Sequence, residues 1–130
     1  MFSYLSHLEC TQCGKTCPCD RLIKVSPCCG KVLFARYDLA KMRKEVDRDA
    51  LASRPPNMWR YSELLPVNDP ANVITLGEGG TPLLVAKRLG ESLGMGHLFI
   101  KEEGLNPTGT FKARGIAAAV SKAVELGAKG

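Results

Sequence analysis

The sequence predicts an α/β fold preceded by a small cysteine-rich segment, and three observations support that prediction. Candidate strands alternate with candidate helices from Val73 onward. Apolar side chains recur at helical spacing behind Thr110. All six cysteines fall before residue 30, which is typical of a local metal-binding site and not of a disulfide framework spread through a secreted domain.

The first zone, residues 1–38, holds the cysteines and ends in a predicted strand, "KVLFARYD", whose side chains alternate between two faces. Cys10 and Cys13 form a C-x-x-C pair, and a zinc ribbon needs a second pair about fifteen to twenty residues later. The second pair lies in "SPCCG", where Ser26 occupies the position of the first cysteine in a regular C-x-x-C ending at Cys29.

A zinc-ribbon-like segment is one of two interpretations of this zone. A tetrahedral site can combine Cys28 with Cys29 or recruit Cys17 or Cys19 from "CPC", although adjacent cysteines are awkward as joint ligands. The other interpretation is a ribbon-like fold that packing stabilises, with reduced and partly idle thiols. The zinc ligands that we predict are Cys10, Cys13, Cys28 and Cys29.

The second zone, residues 39–72, begins with a predicted helix and continues as an arm. Leu39, Met42, Val46 and Ala50 recur at helical spacing behind Asp38, a favourable N-cap. The paired prolines of "SRPPNMWRYSELLPVNDP" end this helix, and we expect an irregular arm with one short helical turn after it.

The third zone, residues 73–130, is the predicted start of the α/β domain. "VITLGEGGTPLLVAKRLGESLG" suggests an extended stretch, a glycine-rich turn and a second apolar stretch leading into a polar segment. "HLFIKEE" is a candidate strand, the loop "GLNPTGT" follows it, and "FKARGIAAAVSKAVELGAKG" predicts a helix that ends near Gly127. The side chains expected to form the buried face of this helix are Ile116, Ala119, Val120, Ala123, Val124 and Leu126.

Lys112 therefore lies at a predicted strand-to-helix junction. Ligands of open α/β sheets gather beyond the carboxyl ends of the strands, where helix N-termini leave backbone N–H groups unpaired. Burial lowers the pKa of a lysine ammonium group, and a deprotonated amine can attack an aldehyde. Because Pro107 and Gly109 fix the loop and Phe111 supplies a flat apolar surface, the pattern indicates a site for an aldehyde cofactor.

Composition and charge exclude several function classes. The formal charge is +5, but the basic residues are scattered among acidic ones, which is typical of a solvated surface and not of a nucleic-acid-binding stripe. No apolar run approaches the roughly 18 residues of a membrane span. The N-terminus, "MFSYLSHLEC", lacks a basic region followed by a long apolar one. We therefore expect a cytoplasmic protein with neither a membrane nor a nucleic acid as its partner.

The lysine motif has a counterpart in a known family. "NPTGTFKARG" resembles the lysine motif of the pyridoxal-phosphate enzymes of the tryptophan-synthase β-subunit fold group, or fold type II. "TLGEGGTPL", "FIKEEGLNPTGTFKARG" and the cysteine-bearing "LECTQCG…CCGKVLFARYDL" are similar to segments of the threonine synthases in particular. The resemblance covers essentially the whole chain and implies the N-terminal part of a fold type II enzyme, preceded by a zinc-ribbon-like segment.

The resemblance implies the conversion of O-phosphohomoserine and water to threonine and phosphate. Lys112 would hold pyridoxal 5'-phosphate covalently and then act as the base that moves the protons at Cα and Cβ of the substrate. Ala113 departs from the pattern, since many relatives have an aspartate there, and alanine removes a capping carboxylate. The residues expected at the cofactor are Lys112, Phe111 and Asn106, and those expected at the amino-acid substrate are Thr108, Thr110 and Thr81.

Simpler interpretations of these residues stand beside the functional ones. Asn106 and Thr108 are good turn formers, Phe111 suits core packing, and the glycines of "GEGGTP" can serve a tight turn alone. Threonine dehydratases and related lyases carry close variants of the lysine motif. A non-enzymatic zinc-ribbon module that binds nucleic acid or protein is the alternative from another class.

The resemblance also implies a longer protein. Enzymes of this fold continue for roughly 200 or more further residues, including a glycine-rich loop that binds the cofactor phosphate at a helix N-terminus. The family further implies a homodimer. We therefore expect this chain to be a fragment that has no turnover in isolation.

Overall fold

The computed structural model describes residues 1–129 and contains two small antiparallel sheets, three α-helices and several short 3₁₀ helices. The strands are β1 (Leu5–Cys10), β2 (Thr16–Cys17), β3 (Leu33–Tyr37), β4 (Leu83–Val85) and β5 (Phe99–Lys101). The α-helices are α1 (Leu39–Glu45), α2 (Lys87–Ser92) and α3 (Lys112–Glu125). The 3₁₀ helices are Asp49–Ser53, Met58–Leu64, Pro70–Asn72 and Glu103–Leu105.

The cysteine-rich zone folds around a three-stranded sheet in the order β2-β1-β3. Leu8 of β1 pairs with Cys17 of β2 on one side and with Ala35 of β3 on the other. The strand predicted over "KVLFARYD" is confirmed at β3. Cys10 ends β1 and Cys13 follows it in the short turn before β2, whereas Cys28 and Cys29 lie in the long connection between β2 and β3. The sheet therefore brings two distant parts of the sequence together.

Helix α1 confirms the predicted helix of the second zone but is shorter. Asp38 caps it, since its carboxylate accepts a 2.9 Å hydrogen bond from the N–H of Lys41. The helix ends at Glu45, and Ala50, which we expected to continue it, belongs to the 3₁₀ helix Asp49–Ser53. Val46 already has an extended backbone, which stops the helix before the next apolar position.

The arm is more helical than the single turn that the prolines suggested. Its main element, the 3₁₀ helix Met58–Leu64, is kinked at Tyr61. Arg54 donates two hydrogen bonds of 2.8 and 2.7 Å to the nearly buried carboxylate of Glu63. The backbone of Tyr4 in turn donates to the carbonyl of Glu63. These contacts attach the arm to the N-terminal sheet.

Strands β4 and β5 pair antiparallel. The short connection between them explains this pairing. Helix α2 is only 6 residues long, and Gly94 follows it with φ of 67°. The N–H of Ala86 then bonds the carbonyl of Leu98, which closes a hairpin. A turn in the left-handed region suits glycine, and here it reverses the chain.

Helix α3 confirms the helix predicted behind Thr110, but its predicted buried face is wrong. Ile116 is 62% exposed, and Val120 and Val124 are also exposed. Within residues 1–129, no sheet covers this face: Ile116 and Val120 line an open cavity, while Ala123 borders a second cavity beside the N-terminal sheet. The residues that α3 does bury are Ala113 and Ser121.

Two side chains on the inner side of α3 hold it to the chain that precedes β4. The hydroxyl of Ser121, which is 0% exposed, accepts a 2.8 Å hydrogen bond from the N–H of Ile74 and donates one of 3.1 Å to the carbonyl of the same residue. The carboxylate of Glu125 accepts from the N–H groups of Asn68 and Asp69 at 2.7 and 2.8 Å. Both contacts fix α3 without packing its apolar face.

None of the helices formed by residues 1–129 has the length and apolar character to cross a membrane.

We expect Ser121→Ala to destabilise the fold, because it leaves both backbone groups of Ile74 without the side chain that satisfies them. The loss should be about 1–3 kcal/mol in the free energy of unfolding, reduced slightly by the better helix propensity of alanine. Urea unfolding at pH 7 measures it. Ser92→Ala is the matched control, because Ser92 is also a helical serine that donates to a backbone carbonyl, that of Leu89, but is exposed. Equal midpoints for both variants would contradict the role of Ser121.

Candidate functional site

Lys112 is the first residue of α3 and follows a loop that leaves β5. The hydroxyl of Thr110 accepts a 2.9 Å hydrogen bond from the N–H of Lys112. The carbonyl of Thr110 also accepts from the N–H of Ala113 at 3.3 Å. Gly109 turns the loop with φ of 69°. The predicted strand-to-helix junction is therefore confirmed, and Thr110, two residues before the lysine, bonds backbone N–H groups at the start of the helix.

Lys112 borders a cavity of about 450 Å³ beside α3. The hydroxyl-bearing residues Thr108 and Thr110 border the same cavity on the loop side. Its other walls are mainly apolar and come from α3 and from the segment before the glycine turn. The lining residues are Ile74, Thr75, Leu76, Glu78, Thr108, Thr110, Lys112, Ala113, Ile116, Ala117 and Val120. An amine and two hydroxyls beside an apolar space suit a flat ligand that carries an aldehyde.

The other residues that the sequence singled out lie elsewhere in the described structure. Phe111 is 64% exposed and lies outside the cavity lining. Asn106 and Thr81 are buried beneath the loop, where they bond to protein atoms. Lys112 itself is exposed, so the described residues do not supply the burial that we expected around its amine.

A carboxylate that sequence reasoning missed organises this region. Glu103, directly after β5, receives two hydrogen bonds from Arg114, at 2.7 Å from Nε and 2.8 Å from Nη2. Thr81 donates to it at 2.5 Å and the side-chain amide of Asn106 at 2.9 Å. The Arg114 guanidinium, with these two donors, holds the pKa of Glu103 far below its usual range. The sequence contained a signal for this ion pair, because Glu103 and Arg114 stand on either side of the loop "GLNPTGT".

The glycine turn lies directly against the arm and this ion pair. The N–H of Gly79 donates to the side-chain oxygen of Asn106 at 3.0 Å. A Cβ on Gly79 would lie 2.5 Å from the backbone nitrogen of Met58, and one on Gly80 would lie 1.9 Å from the carbonyl oxygen of Pro56. Both glycines also have positive φ. The tight-turn interpretation of "GEGGTP" therefore has a physical basis in close backbone approach.

Glu78 is the second carboxylate that the sequence did not single out. It is 1% exposed and accepts hydrogen bonds from the Trp59 indole, the Thr75 hydroxyl and the N–H of Leu76. Burial raises its pKa, but these hydrogen bonds outweigh burial and keep the pKa below its usual value. Since both oxygens are occupied by protein donors, Glu78 links the arm to the cavity wall.

A second candidate site lies in the cysteine-rich zone. The sulfur atoms of Cys10, Cys13, Cys28 and Cys29 all lie within 4.8 Å of one another. These are the four ligands predicted from the sequence. Cys19 lies apart, with its thiol donating to the carbonyl of Ser6 at 3.4 Å.

The thiols of this cluster differ in their surroundings. The Ser26 hydroxyl, together with the backbone amides of Cys13 and Gln12, lowers the pKa of Cys10 to about 6. The neighbouring Cys13 thiol, followed by burial, raises the pKa of Cys29 to about 12. Four converging sulfurs are the donor set that zinc prefers in structural sites.

Comparisons with known proteins agree with the lysine motif. Residues 74–130 match the family model described as "Pyridoxal-phosphate dependent enzyme". Over 119 residues the chain is 42% identical to "Threonine synthase" of Methanocaldococcus jannaschii, which covers 92% of this chain and 29% of that protein. Over 121 residues it is 40% identical to "Threonine synthase" of Methanosarcina acetivorans, a match that covers 93% of this chain and 29% of that protein. "Threonine synthase" of a Synechocystis strain is 51% identical over 80 residues, a match that covers 55% of this chain and 20% of that protein.

The chain thus spans less than a third of the length of the curated relatives that it matches. The two archaeal matches also extend over the cysteine-rich zone, because they cover more than nine tenths of the chain. The resemblance stated from "NPTGTFKARG" is confirmed.

We expect Arg114→Gln to lower the free energy of unfolding at pH 7, because it removes the bidentate partner of Glu103. The folded-state pKa of Glu103 is depressed, so this contribution is complete above the ordinary glutamate pKa and is lost as the pH falls. The difference in the free energy of unfolding between wild type and variant should therefore become smaller below about pH 5. Urea unfolding at several pH values measures the gap.

Arg36→Gln is the matched control for that prediction, since Arg36 pairs with Glu9 on an exposed surface. Its effect at pH 7 should be smaller than that of Arg114→Gln. A gap for Arg114→Gln that stays constant from pH 7 to pH 3 would contradict the assignment to Glu103.

Proposed function

We propose, on the premise that residues 74–130 belong to the pyridoxal-phosphate dependent enzymes, that the whole protein is a threonine synthase. Its reaction would convert O-phosphohomoserine and water to threonine and phosphate. The observation that carries the proposal is Lys112 at the N-terminus of α3, on the rim of an apolar cavity. The three relatives reported above are named for this activity, which favours it over the related dehydratases.

The residues around the cavity fit pyridoxal phosphate. The Lys112 amine is the group that would hold the aldehyde covalently, and the exposed side chain is free to do so. Ile116 and Val120 offer apolar contact for the ring, and Thr108 and Thr110 offer hydroxyls at the loop side. When bound, the pyridoxal group withdraws electrons from the substrate carbon that loses a proton.

Lys112 has two roles in this proposal. Its Nζ would hold the cofactor, and the same amine would take the proton from the substrate Cα and return protons during the later steps. The N–H of Lys112 is bonded to Thr110, and Arg114 is bonded to Glu103, so the first turn of α3 is fixed on both sides of the lysine. A fixed backbone limits the positions that the amine can reach, which favours transfer at one carbon.

The remaining site residues would act at greater distance from the reacting atoms. Asn106 and Thr81 hold Glu103 and the glycine turn, so we propose that they shape the loop on which Thr108 and Thr110 stand. From the family resemblance we also propose Phe111, exposed next to Lys112 but outside the cavity lining, as a contact for the cofactor. From the family resemblance we also propose a cytoplasmic homodimer that acts on an amino-acid substrate.

We propose that the cysteine cluster binds one structural zinc ion through Cys10, Cys13, Cys28 and Cys29. In a tetrahedral site with Zn–S bonds of about 2.3 Å, the sulfur atoms lie about 3.8 Å apart. The limit of 4.8 Å among the four sulfurs supports this proposal, since small side-chain rotations close the difference. The cluster joins the turn after β1 to the turn before β3, which a metal ion would fasten.

The covalent anchor can be tested in the whole enzyme. With pyridoxal phosphate bound we expect an absorption band in the visible region, and borohydride reduction should attach the cofactor to Lys112. Lys112→Ala should remove the band and lower turnover by about 10²–10⁴-fold or more, because anchor and base are lost together.

Lys87→Ala is the matched control for this test, because Lys87 is also exposed and also begins a helix, α2. It should keep both the band and the turnover. Peptide mapping after reduction gives the attachment site. A label on Lys101 or Lys122 in place of Lys112 would refute the assignment.

The zinc site predicts about one zinc ion per chain in protein purified under reducing conditions. Cys13→Ser should lower the zinc content, and a chelator should remove the metal with loss of N-terminal structure. Cys19→Ser should keep the metal, because Cys19 lies outside the cluster. Metal-free wild-type protein with the same melting curve in the presence of zinc would refute the site.

A further inference from the structure

The two cysteine-bearing turns have the same backbone hydrogen bonds. In the first, the N–H of Gly14 bonds the carbonyl of Cys10 at 3.0 Å, and the N–H of Cys10 bonds the carbonyl of Lys15 at 2.9 Å. In the second, the N–H of Gly30 bonds the carbonyl of Ser26 at 2.8 Å, and the N–H of Ser26 bonds the carbonyl of Lys31 at 2.7 Å. Ser26 therefore occupies the position that corresponds to Cys10.

Because the two turns correspond, each residue of the second turn has a counterpart in the first. Gly14 and Gly30 both have positive φ, at 72° and 64°, and both turns end in a lysine. Cys13 and Cys29 lie three positions after Cys10 and Ser26, so they correspond to each other. Cys28 corresponds to Gln12, which has no sulfur. The second turn thus lacks the first of two regular ligands and has an additional thiol beside the second.

The Ser26 side chain is directed at the cluster and not at solvent. It is 1% exposed, and its hydroxyl oxygen lies 3.3 Å from the sulfur of Cys10. The N–H of Lys31 already donates to the same oxygen, at 3.1 Å. The hydroxyl therefore has its own proton left to donate, and a thiolate at Cys10 has only acceptor capacity. In the zinc-bound state, where Cys10 is a thiolate ligand, the hydrogen bond runs from Ser26 to Cys10.

We infer that Ser26 is a hydrogen-bond donor that positions the Cys10 thiolate, while Cys28 replaces the missing ligand at position 26. This inference rests on the zinc site of the proposed function. Cys28 is exposed, and its sulfur lies 3.3 Å from that of Cys13, on the open side of the cluster. Cys10 is buried on the other side of the cluster, with an exposed fraction of 1%.

The chemistry explains why a buried hydroxyl is useful there. Four thiolates around one divalent zinc ion leave a net charge of −2, and a charge in a buried position is costly unless it is hydrogen-bonded. Because the N–H of Lys31 bonds the Ser26 oxygen from the other side, the direction of the Ser26 hydroxyl is fixed. Hydrogen-bonding partners of metal ligands typically change metal affinity by about 10- to 100-fold when they are removed.

Cobalt(II) titration of the metal-free, reduced chain tests the inference, since cobalt reports its sulfur ligands by charge-transfer absorption. Ser26→Ala should bind cobalt about 10- to 100-fold more weakly, and the charge-transfer band should move to lower energy because the thiolate loses its hydrogen bond. Thr11→Ala is the matched control, since Thr11 in the first turn donates to the carbonyl of Val32 and not to a sulfur. It should leave affinity and band unchanged.

A second pair of variants tests whether Cys28 is the zinc ligand that replaces a cysteine at position 26. Cys28→Ser should lose about a quarter of the charge-transfer intensity, because one of four thiolates is removed. The double variant Ser26→Cys and Cys28→Ser should regain that intensity, because it restores the regular spacing of the first turn. This pair tests the exchange even if Ser26→Ala fails to fold.

The outcomes separate the two levels of the proposal. Wild-type protein that binds no cobalt would overturn the zinc site and the inference with it. Four-thiolate binding by the wild type, with unchanged affinity and band in Ser26→Ala, would overturn the role of Ser26 and keep the zinc site. Full intensity in Cys28→Ser would overturn the assignment of Cys28 as a ligand.

Discussion

The carboxylate of Glu103 is satisfied by side chains from three separate parts of the chain, and the site depends on that contact. Arg114 comes from α3, Thr81 from the glycine turn and Asn106 from the loop after β5. An ionised carboxylate that is mostly removed from water needs such donors, so the three parts are held in one relative arrangement. Lys112 lies two residues before Arg114, and its position follows from this ion pair.

The same region shows that α3 is attached mainly through polar contacts. Helix α3 is held by polar contacts on its inner side, Ser121 with Ile74 and Glu125 with the segment after Val67. Its apolar side chains face open cavities in the described structure. Polar contacts have defined geometry, whereas apolar contact alone allows sliding. In the proposed function, where Lys112 holds a cofactor, a backbone fixed by polar contacts limits the positions that its amine reaches.

The cysteine-rich zone follows a related rule at a smaller scale. Its core is small, with Tyr4, Cys10 and Cys17 as its buried apolar side chains, and the arm attaches to it through Glu63. Small sheets of this kind commonly need a metal ion or a disulfide for stability. The convergence of four sulfurs on one point, beside a buried hydroxyl, is consistent with a metal ion in that role.

The sequence by itself determined the features that depend on local chemistry. The N-cap Asp38, the strand at β3, the helix that begins at Lys112 and the place of Ser26 at the first position of a C-x-x-C all follow from short patterns, because turns, caps and periodicity involve residues close in the chain. Only the tertiary structure decided which distant groups of the chain contact one another. The roles of Glu78 and Glu103, the clash that excludes a side chain at Gly80, the exposure of Ile116 and the convergence of the two cysteine turns depend on contacts between distant segments. Local patterns set the conformation of a segment, but only the assembled chain shows which groups must satisfy one another once water is excluded.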